Sequence, residues 1–441
     1  MISPSIRAVF YKVISSLASL LFVWAVAFYL SVQSAGVVLY FYTMIMVVVQ
    51  FSRAGTEYGV IKKSALTETE DNASMFLYVL LIVSCLAVVI SILYATIAYF
   101  QGLYSFGDSS FWCLVFLLLG AVFFSLNQIL ATCYQLSRYI FMQYFYLNIG
   151  CVSLSIIVWV VYSEFSGGFE AVELCYIFFM SNFVMCVFAF FHCKLHKSFP
   201  ALSVGFDGFK AKVVELVKFI FPYSVVAFLT ITIQWGAALL SGSWLNEEEL
   251  GVLSIVIRVA TFSIFGFLAI NTYMSPRLSK LSYFNHKEIL TVAGPFSLVS
   301  TFFCASFIVF FLLFGKFFLG LLGEAYIQAY EYVLVVTLFW LGRVLLGPVD
   351  VILLMTGHVN VNKRNLIISG VVSMLLGVIL ISQYGLWGAI FALSFSRFIL
   401  SVLNSYNVFK IYGLSFLAPS SLMFSVKELQ GIYIERLTRN G

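Results

Sequence analysis

Long uninterrupted apolar runs constrain this chain more than any other feature. Residues 76–100, FLYVLLIVSCLAVVISILYATIAYF, and 297–315, SLVSTFFCASFIVFFLLFG, contain no charged residue. About 20 consecutive apolar residues suffice for one transmembrane helix, and such runs recur from end to end. Charge is correspondingly scarce: 10% of the 441 residues, against about 25% in soluble domains. With 62% hydrophobic residues, there is too little polar surface to cover a soluble globule. A disordered chain, a collagen and a disulfide-rich secreted scaffold are excluded on the same grounds. The expected fold is an all-α, polytopic integral membrane protein.

Breaks between the runs place about twelve spans, near 12–31, 35–58, 75–99, 111–136, 140–162, 172–192, 217–241, 250–275, 292–314, 329–356, 365–382 and 386–409. Basic residues set their orientation, because Lys and Arg gather in cytoplasmic loops. With the N-terminus inside, alternate segments collect Arg7 and Lys12; Arg53, Lys62 and Lys63; Arg138; and Lys194, Lys197, Lys210, Lys212 and Lys218. They continue with Arg277, Lys280 and Lys287; Lys363 and Arg364; and Lys410, Lys427, Arg436 and Arg439. The intervening loops hold only Lys316, together with acids such as Asp108, Glu170, Glu247 and Glu324. Both termini are therefore expected in the cytoplasm.

The first apolar run is longer than a signal-peptide core, so it reads as an uncleaved span. No extramembrane segment is large enough for a catalytic domain, which argues against an enzyme. The tail from Ser421 to Arg439 reads as an amphipathic helix on the membrane surface. Eight cysteines form no C-x-x-C pair, and they read as buried thiols rather than metal ligands. Nothing in the sequence calls for a cofactor, a metal or nucleic acid.

An internal repeat accompanies the span count. Span 2 opens on Gly36-Val37 and span 8 on Gly251-Val252, and both end in basic stretches. Gly120 in span 4 and Gly342 in span 10 stand at the same offset from Gln128 and Asp350. Two six-span lobes around a central cavity explain this, although glycine-led apolar segments also align easily. The expected division is 1–205, 206–410 and a cytoplasmic tail, 411–441.

Four ionisable residues fall deep within spans: Arg258, Arg343, Asp350 and Arg397. Each buried charge costs about 2.5–3.5 kcal/mol to insert at a helix centre, so they are expected to face a cavity or one another. Arginine keeps its charge at any working pH, and its planar fork matches phosphate oxygens. Arg258, Arg343 and Arg397 are thus the candidate ligands for an anionic cargo, with Asp350 as an ion-coupling or pairing residue. Structural pairing is the alternative, since Arg343 and Asp350 share a helical face at a separation of seven. Asn127, Gln128, Gln234 and Asn271 are candidate polar cavity residues. Pro222 and Pro348, with Pro276 and Pro295, mark candidate kinks. The many aromatics read as lipid-facing and interfacial residues, with Trp112, Trp244 and Trp387 near outer span ends.

Two stretches carry a family resemblance. One is LNEEELGVLSIVIRVATFSIFGFLAINTYMSPRLSKL, Leu245 to Leu281; the other runs from Phe314 to Lys410 and includes Thr356-Gly357-His358 and Gly385-Leu386-Trp387-Gly388-Ala389. Their order and spacing resemble the polysaccharide-transporter branch of the multidrug/oligosaccharidyl-lipid/polysaccharide exporter superfamily, the O-antigen flippases. That resemblance implies transfer of undecaprenyl-pyrophosphate-linked oligosaccharide from the cytoplasmic to the periplasmic leaflet of a bacterial inner membrane. It further implies alternating access, H⁺ or Na⁺ as coupling ion, and a place beside other polysaccharide-assembly membrane proteins. Twelve spans rather than fourteen set the chain apart from the peptidoglycan-precursor branch. A multidrug/cation antiporter would favour acidic cavity residues, and a membrane polymerase a large outer loop.

Overall fold

The computed structural model describes every residue except 1–3, 31, 54–55, 57–68, 101–107, 137–139, 167–170, 196–208, 279–285 and 441. Lys62, Lys63, Arg138, Lys197, Lys280 and Glu170 therefore lie outside the described residues. Most of those described are helical, with no strand among them. In chain order the helices are α1 (Pro4–Tyr29), α2 (Val32–Arg53), α3 (Thr69–Phe100) and α4 (Asp108–Leu136). Next come α5 (Ile140–Tyr144 and Gly150–Ser166, joined through a π-helical turn, Phe145–Ile149), α6 (Ala171–Leu195) and α7 (Phe209–Ser241). In α8, Glu247–Thr261 and Phe265–Leu278 are joined by a 3₁₀ turn, Phe262–Ile264. After α9 (His286–Gly320), α10 consists of Ala329–Leu345 and Val349–Met355. The long helix Val359–Tyr412 contains α11 (359–384) and α12 (386–412), and α13 (Pro419–Asn440) closes the chain.

Each expected span coincides with one of α1 to α12. Among the described residues, eight helices are long and apolar enough to cross a membrane, and the bent pair of α10 makes a ninth. Shorter apolar stretches, Leu17–Tyr29 and Gly150–Tyr162, belong to α1 and α5. The remaining span comes from dividing Val359–Tyr412 at Gly385, where φ is 53° and ψ is −127°. Only glycine takes that conformation without strain. A Cβ on Gly388 would meet the Leu380 carbonyl, so the Gly385–Ala389 motif supplies both the turn and the close approach that α12 needs to leave α11.

Two compact units emerge: Met1–Thr232 with Gly242–Ser254, and Ile233–Ser241 with Ile255–Gly441. In the first, a Cβ on Gly251 would lie 2.7 Å from the Gly36 Cα, so α2 and the start of α8 cross backbone to backbone. The Ser52 and Ser125 hydroxyls bond at 2.8 Å between α2 and α4. Gly120 of α4 seats Phe178 of α6, with a Cβ there only 3.1 Å from the ring.

The second unit repeats that last device. Gly342 of α10 seats Phe398 of α12, at 2.9 Å from a Cβ. The fourth and sixth helices of each half thus meet through the same glycine–phenylalanine contact, which supports the internal repeat more strongly than the glycines alone. Between α11 and α12, the Asn365 amide donates to Asn404 at 2.8 Å, the Asn404 amide donates to Asn362 at 3.0 Å, and the Ser396 hydroxyl donates to Ser373 at 2.6 Å. Helix α13 forms where the tail was expected to be helical. Its buried Ser421 and Ser425 face α9, where Gly294 leaves room for the Ser425 hydroxyl, while Leu422, Met423 and Val426 stay exposed. Met274, Leu290, Ile352, Val408 and Phe416 form an apolar core behind this end of the unit.

Many large apolar side chains are exposed along the spans, as lipid requires: α9 bares Phe302, Phe310, Phe314 and Phe317. Seven cysteines are free: Cys85 is exposed, Cys186 half-buried, and Cys113, Cys151, Cys175, Cys193 and Cys304 buried.

Candidate functional site

The deep charges of α10 and α12 are positioned by an aromatic seam. Tyr332 meets Trp387 at 4.6 Å, and Phe339 touches Phe391, Phe395 and Phe398 at 6.3, 6.2 and 6.1 Å. These contacts advance in the same direction along both helices, so α10 and α12 run parallel. Gly342 ends the seam, letting Phe398 approach. The next residue of α10 is Arg343, and the residue before Phe398 is Arg397, so the packing brings both guanidiniums to one level. Each is close enough for the Arg343 charge to act on Arg397.

Their environments differ. The Arg343 guanidinium donates to an Asp350 carboxylate oxygen at 3.5 Å and lies 5.4 Å from the Phe267 ring. The two are not on one helical face, as their spacing suggested. Helix α10 breaks between them, with Gly347 at φ 80° and a bend of 43° before Val349. Asp350 then occupies the first turn of the second segment, where the helix dipole favours a carboxylate, and the bend swings it back towards Arg343. Pro348 caps that segment at the bend.

Arg397 has a different neighbour. Its guanidinium lies 5.0 Å from the centre of the Trp340 ring, a cation–π distance, and no carboxylate among the described residues pairs with it. Trp340 is 1% exposed, and its indole N–H finds no acceptor among the described residues. Two guanidiniums, one carboxylate and an unused N–H donor therefore share a small region: a site with surplus positive charge and surplus donors, suited to an anion with several acceptor oxygens.

The remaining expected residues lie elsewhere. Arg258 is half-buried on the first segment of α8, about 13 Å along the helix from Phe267 at 1.5 Å per residue. The structure thus gathers Arg343, Asp350 and Arg397, and sets Arg258 further along. Asn127 is fully buried in the first unit, where its amide donates to the Cys151 sulfur at 3.3 Å and the Asn182 carbonyl at 3.2 Å. This bonding joins helices rather than lining a cavity. Gln128 is buried beside it, Gln234 and Asn271 are half-buried in the second unit, and α7 continues unbroken through Pro222. Trp340 escaped the sequence reading, because an aromatic in an apolar run carries no mark of the arginine it supports.

Solved structures align with nearly the whole chain. A lipid II flippase, MurJ, in an inward closed conformation matches at 12% identity and TM-score 0.68, covering 99% of this chain and 92% of that one. An inward-facing multidrug resistance MATE family transporter matches at 11% identity and TM-score 0.65, over 96% of this chain and 95% of that one. The chain has the fold of the MOP superfamily of transporters. Another MOP superfamily transporter, from Pyrococcus furiosus, whose binding pocket is described as reversed in polarity, matches at 12% identity and TM-score 0.62 over 91% of this chain and 94% of that one. No family model and no curated protein matches the sequence. At these identities the likeness establishes the MOP fold, and the cargo must be argued from the site.

Proposed function

We propose that this MOP transporter is a flippase for undecaprenyl-pyrophosphate-linked oligosaccharide, an O-antigen or similar surface-polysaccharide repeat unit. It would carry this cargo from the cytoplasmic to the periplasmic leaflet of the bacterial inner membrane by alternating access. The observation that carries the reading is Arg397, held against Trp340 with no carboxylate partner among the described residues, beside Arg343. An uncompensated charge within a span costs about 2.5–3.5 kcal/mol, which an anionic head group would offset by binding there. A lipid II flippase among the solved structures of this fold is consistent with a lipid-linked cargo. A site for cationic drugs would favour carboxylates instead. H⁺ or Na⁺ is the proposed coupling ion, with Asp350 its candidate carrier, and other polysaccharide-assembly membrane proteins are the proposed partners.

The test is substitution of Arg343 and Arg397 by Ala, separately, in a strain whose surface polysaccharide depends on this protein. Loss of polysaccharide at normal protein levels is expected. Normal polysaccharide from both well-folded variants would refute the reading.

A further inference from the structure

Arg343 and Arg397 are unequal partners for an anion. Arg397 stands ready: its guanidinium lies over the Trp340 ring at 5.0 Å, and no carboxylate among the described residues engages its N–H groups. Arg343 is already occupied, though loosely. Its 3.5 Å contact with Asp350 is at the long limit of a hydrogen bond, and the two side chains are 15% and 30% exposed. A long, half-open ion pair beside a second guanidinium differs from the short, enclosed pairs that hold helices together. Asp350 also sits just past the break at Gly347 and Pro348, so its backbone is not locked to the helical segment that carries Arg343.

A monoanion can be neutralised by Arg397 alone. A diphosphate diester carries one negative charge on each phosphate, and it reaches full neutralisation only by engaging both arginines. Asp350 must then withdraw from Arg343.

We propose that Asp350 is an exchangeable counter-ion, which occupies Arg343 in the empty site and is displaced by the second phosphate of a diphosphate-bearing cargo, so that the site selects diphosphates over monophosphates. This rests on the reading above that the site binds an anionic head group. Asp350 acts as a placeholder: it keeps Arg343 neutralised in the membrane without cargo, and its removal from Arg343 is the step a monophosphate cannot drive.

Inorganic pyrophosphate and inorganic phosphate serve as probes in calorimetric titrations of the purified full-length protein in detergent at about pH 5, below the second phosphate ionisation, where phosphate is a monoanion and pyrophosphate a dianion. The wild type is expected to bind pyrophosphate at least tenfold more tightly than phosphate. D350N, which keeps the shape and loses the charge, is expected to tighten pyrophosphate binding about tenfold. D350E, which keeps the charge, is expected to stay within about twofold to threefold of the wild type. R343A is expected to abolish the preference for pyrophosphate while leaving phosphate binding in place, and R397A to weaken both probes. Unchanged or weakened pyrophosphate binding in D350N, with the wild type binding normally, would overturn the exchange and leave the anion site standing. Should D350N fail to fold, a retained pyrophosphate preference in R343A overturns the exchange on its own. Binding of neither probe by the wild type would overturn the anion site itself, and the exchange with it.

Discussion

The turn between α11 and α12 makes a prediction whose sign is set by two glycines on the same hairpin. Gly388 has no room for a side chain: a Cβ there would overlap the Leu380 carbonyl oxygen and crowd the Ile381 nitrogen, 2.7 Å away. Both obstacles are backbone, so relief requires parting the helices rather than rotating a side chain. Overpacking of this kind costs about 1–3 kcal/mol or more, and G388A should fall at the upper end, at about 3 kcal/mol. Gly370, on α11, is the built-in control. A Cβ there would meet only the Ile233 Cγ1 at 3.8 Å, an ordinary contact, and the backbone is helical. Replacing a helical glycine by alanine gains about 0.5–1 kcal/mol. G370A should therefore stabilise the protein while G388A destabilises it. Thermal unfolding in detergent, followed by size-exclusion of a fluorescent fusion, reads both midpoints in one experiment. Each kcal/mol moves the midpoint by roughly 2–4 °C for a 150–250-residue unit, so the two variants should separate by about 7–16 °C. Shifts of the same sign, or an unchanged midpoint in G388A, would show that the helices do not approach as described.

Other consequences are as direct. N404L removes the middle of the Asn365–Asn404–Asn362 ladder and strands two buried partners. A loss of about 1–3 kcal/mol is expected from unmet hydrogen bonds, and a midpoint within 1 °C or so of the wild type would contradict it. R397K keeps the charge but loses the guanidinium that lies over Trp340 and its bidentate bonding, so it should restore only part of the polysaccharide that R397A loses; full restoration would show that charge alone matters. Single cysteines at Lys316 and Lys363, in a background without the native thiols, should label from opposite sides of intact cells, because positive charge marks the cytoplasmic face; labelling from one side would refute the topology.

Much of this architecture was legible in the sequence because the bilayer permits few alternatives. Apolar run length located α1 to α12, and the Gly385–Ala389 motif stands where the long helix turns. Contacts between helices were far less legible. A separation of seven predicts that Arg343 and Asp350 pair along one continuous helix, yet the pair forms across a break that Gly347 and Pro348 create. Arg258 carries the same chemistry as Arg397, and only packing separates them: the Gly342–Phe398 contact brings Arg397 to Arg343, and nothing comparable brings Arg258. Asn127 resembled a cavity residue because an amide in a membrane span invites a functional account, whereas its bonds to Cys151 and Asn182 tie three helices together. Asn362, Asn365 and Asn404 went unnoticed for a related reason, since their complementarity appears only once α11 folds back beside α12.

The meeting of Gly36 with Gly251 also has a consequence for biosynthesis. The first compact unit includes Gly242–Ser254, so it lacks a component when the first six helices of the chain have left the ribosome. At about 5–20 residues per second, several further seconds of translation pass before Gly251 exists to close against Gly36. A nascent chain arrested between residues 205 and 240 should therefore be more open to protease than one arrested after residue 260. Cutting the gene at the same place should yield a first fragment that waits, unfinished, for its complement.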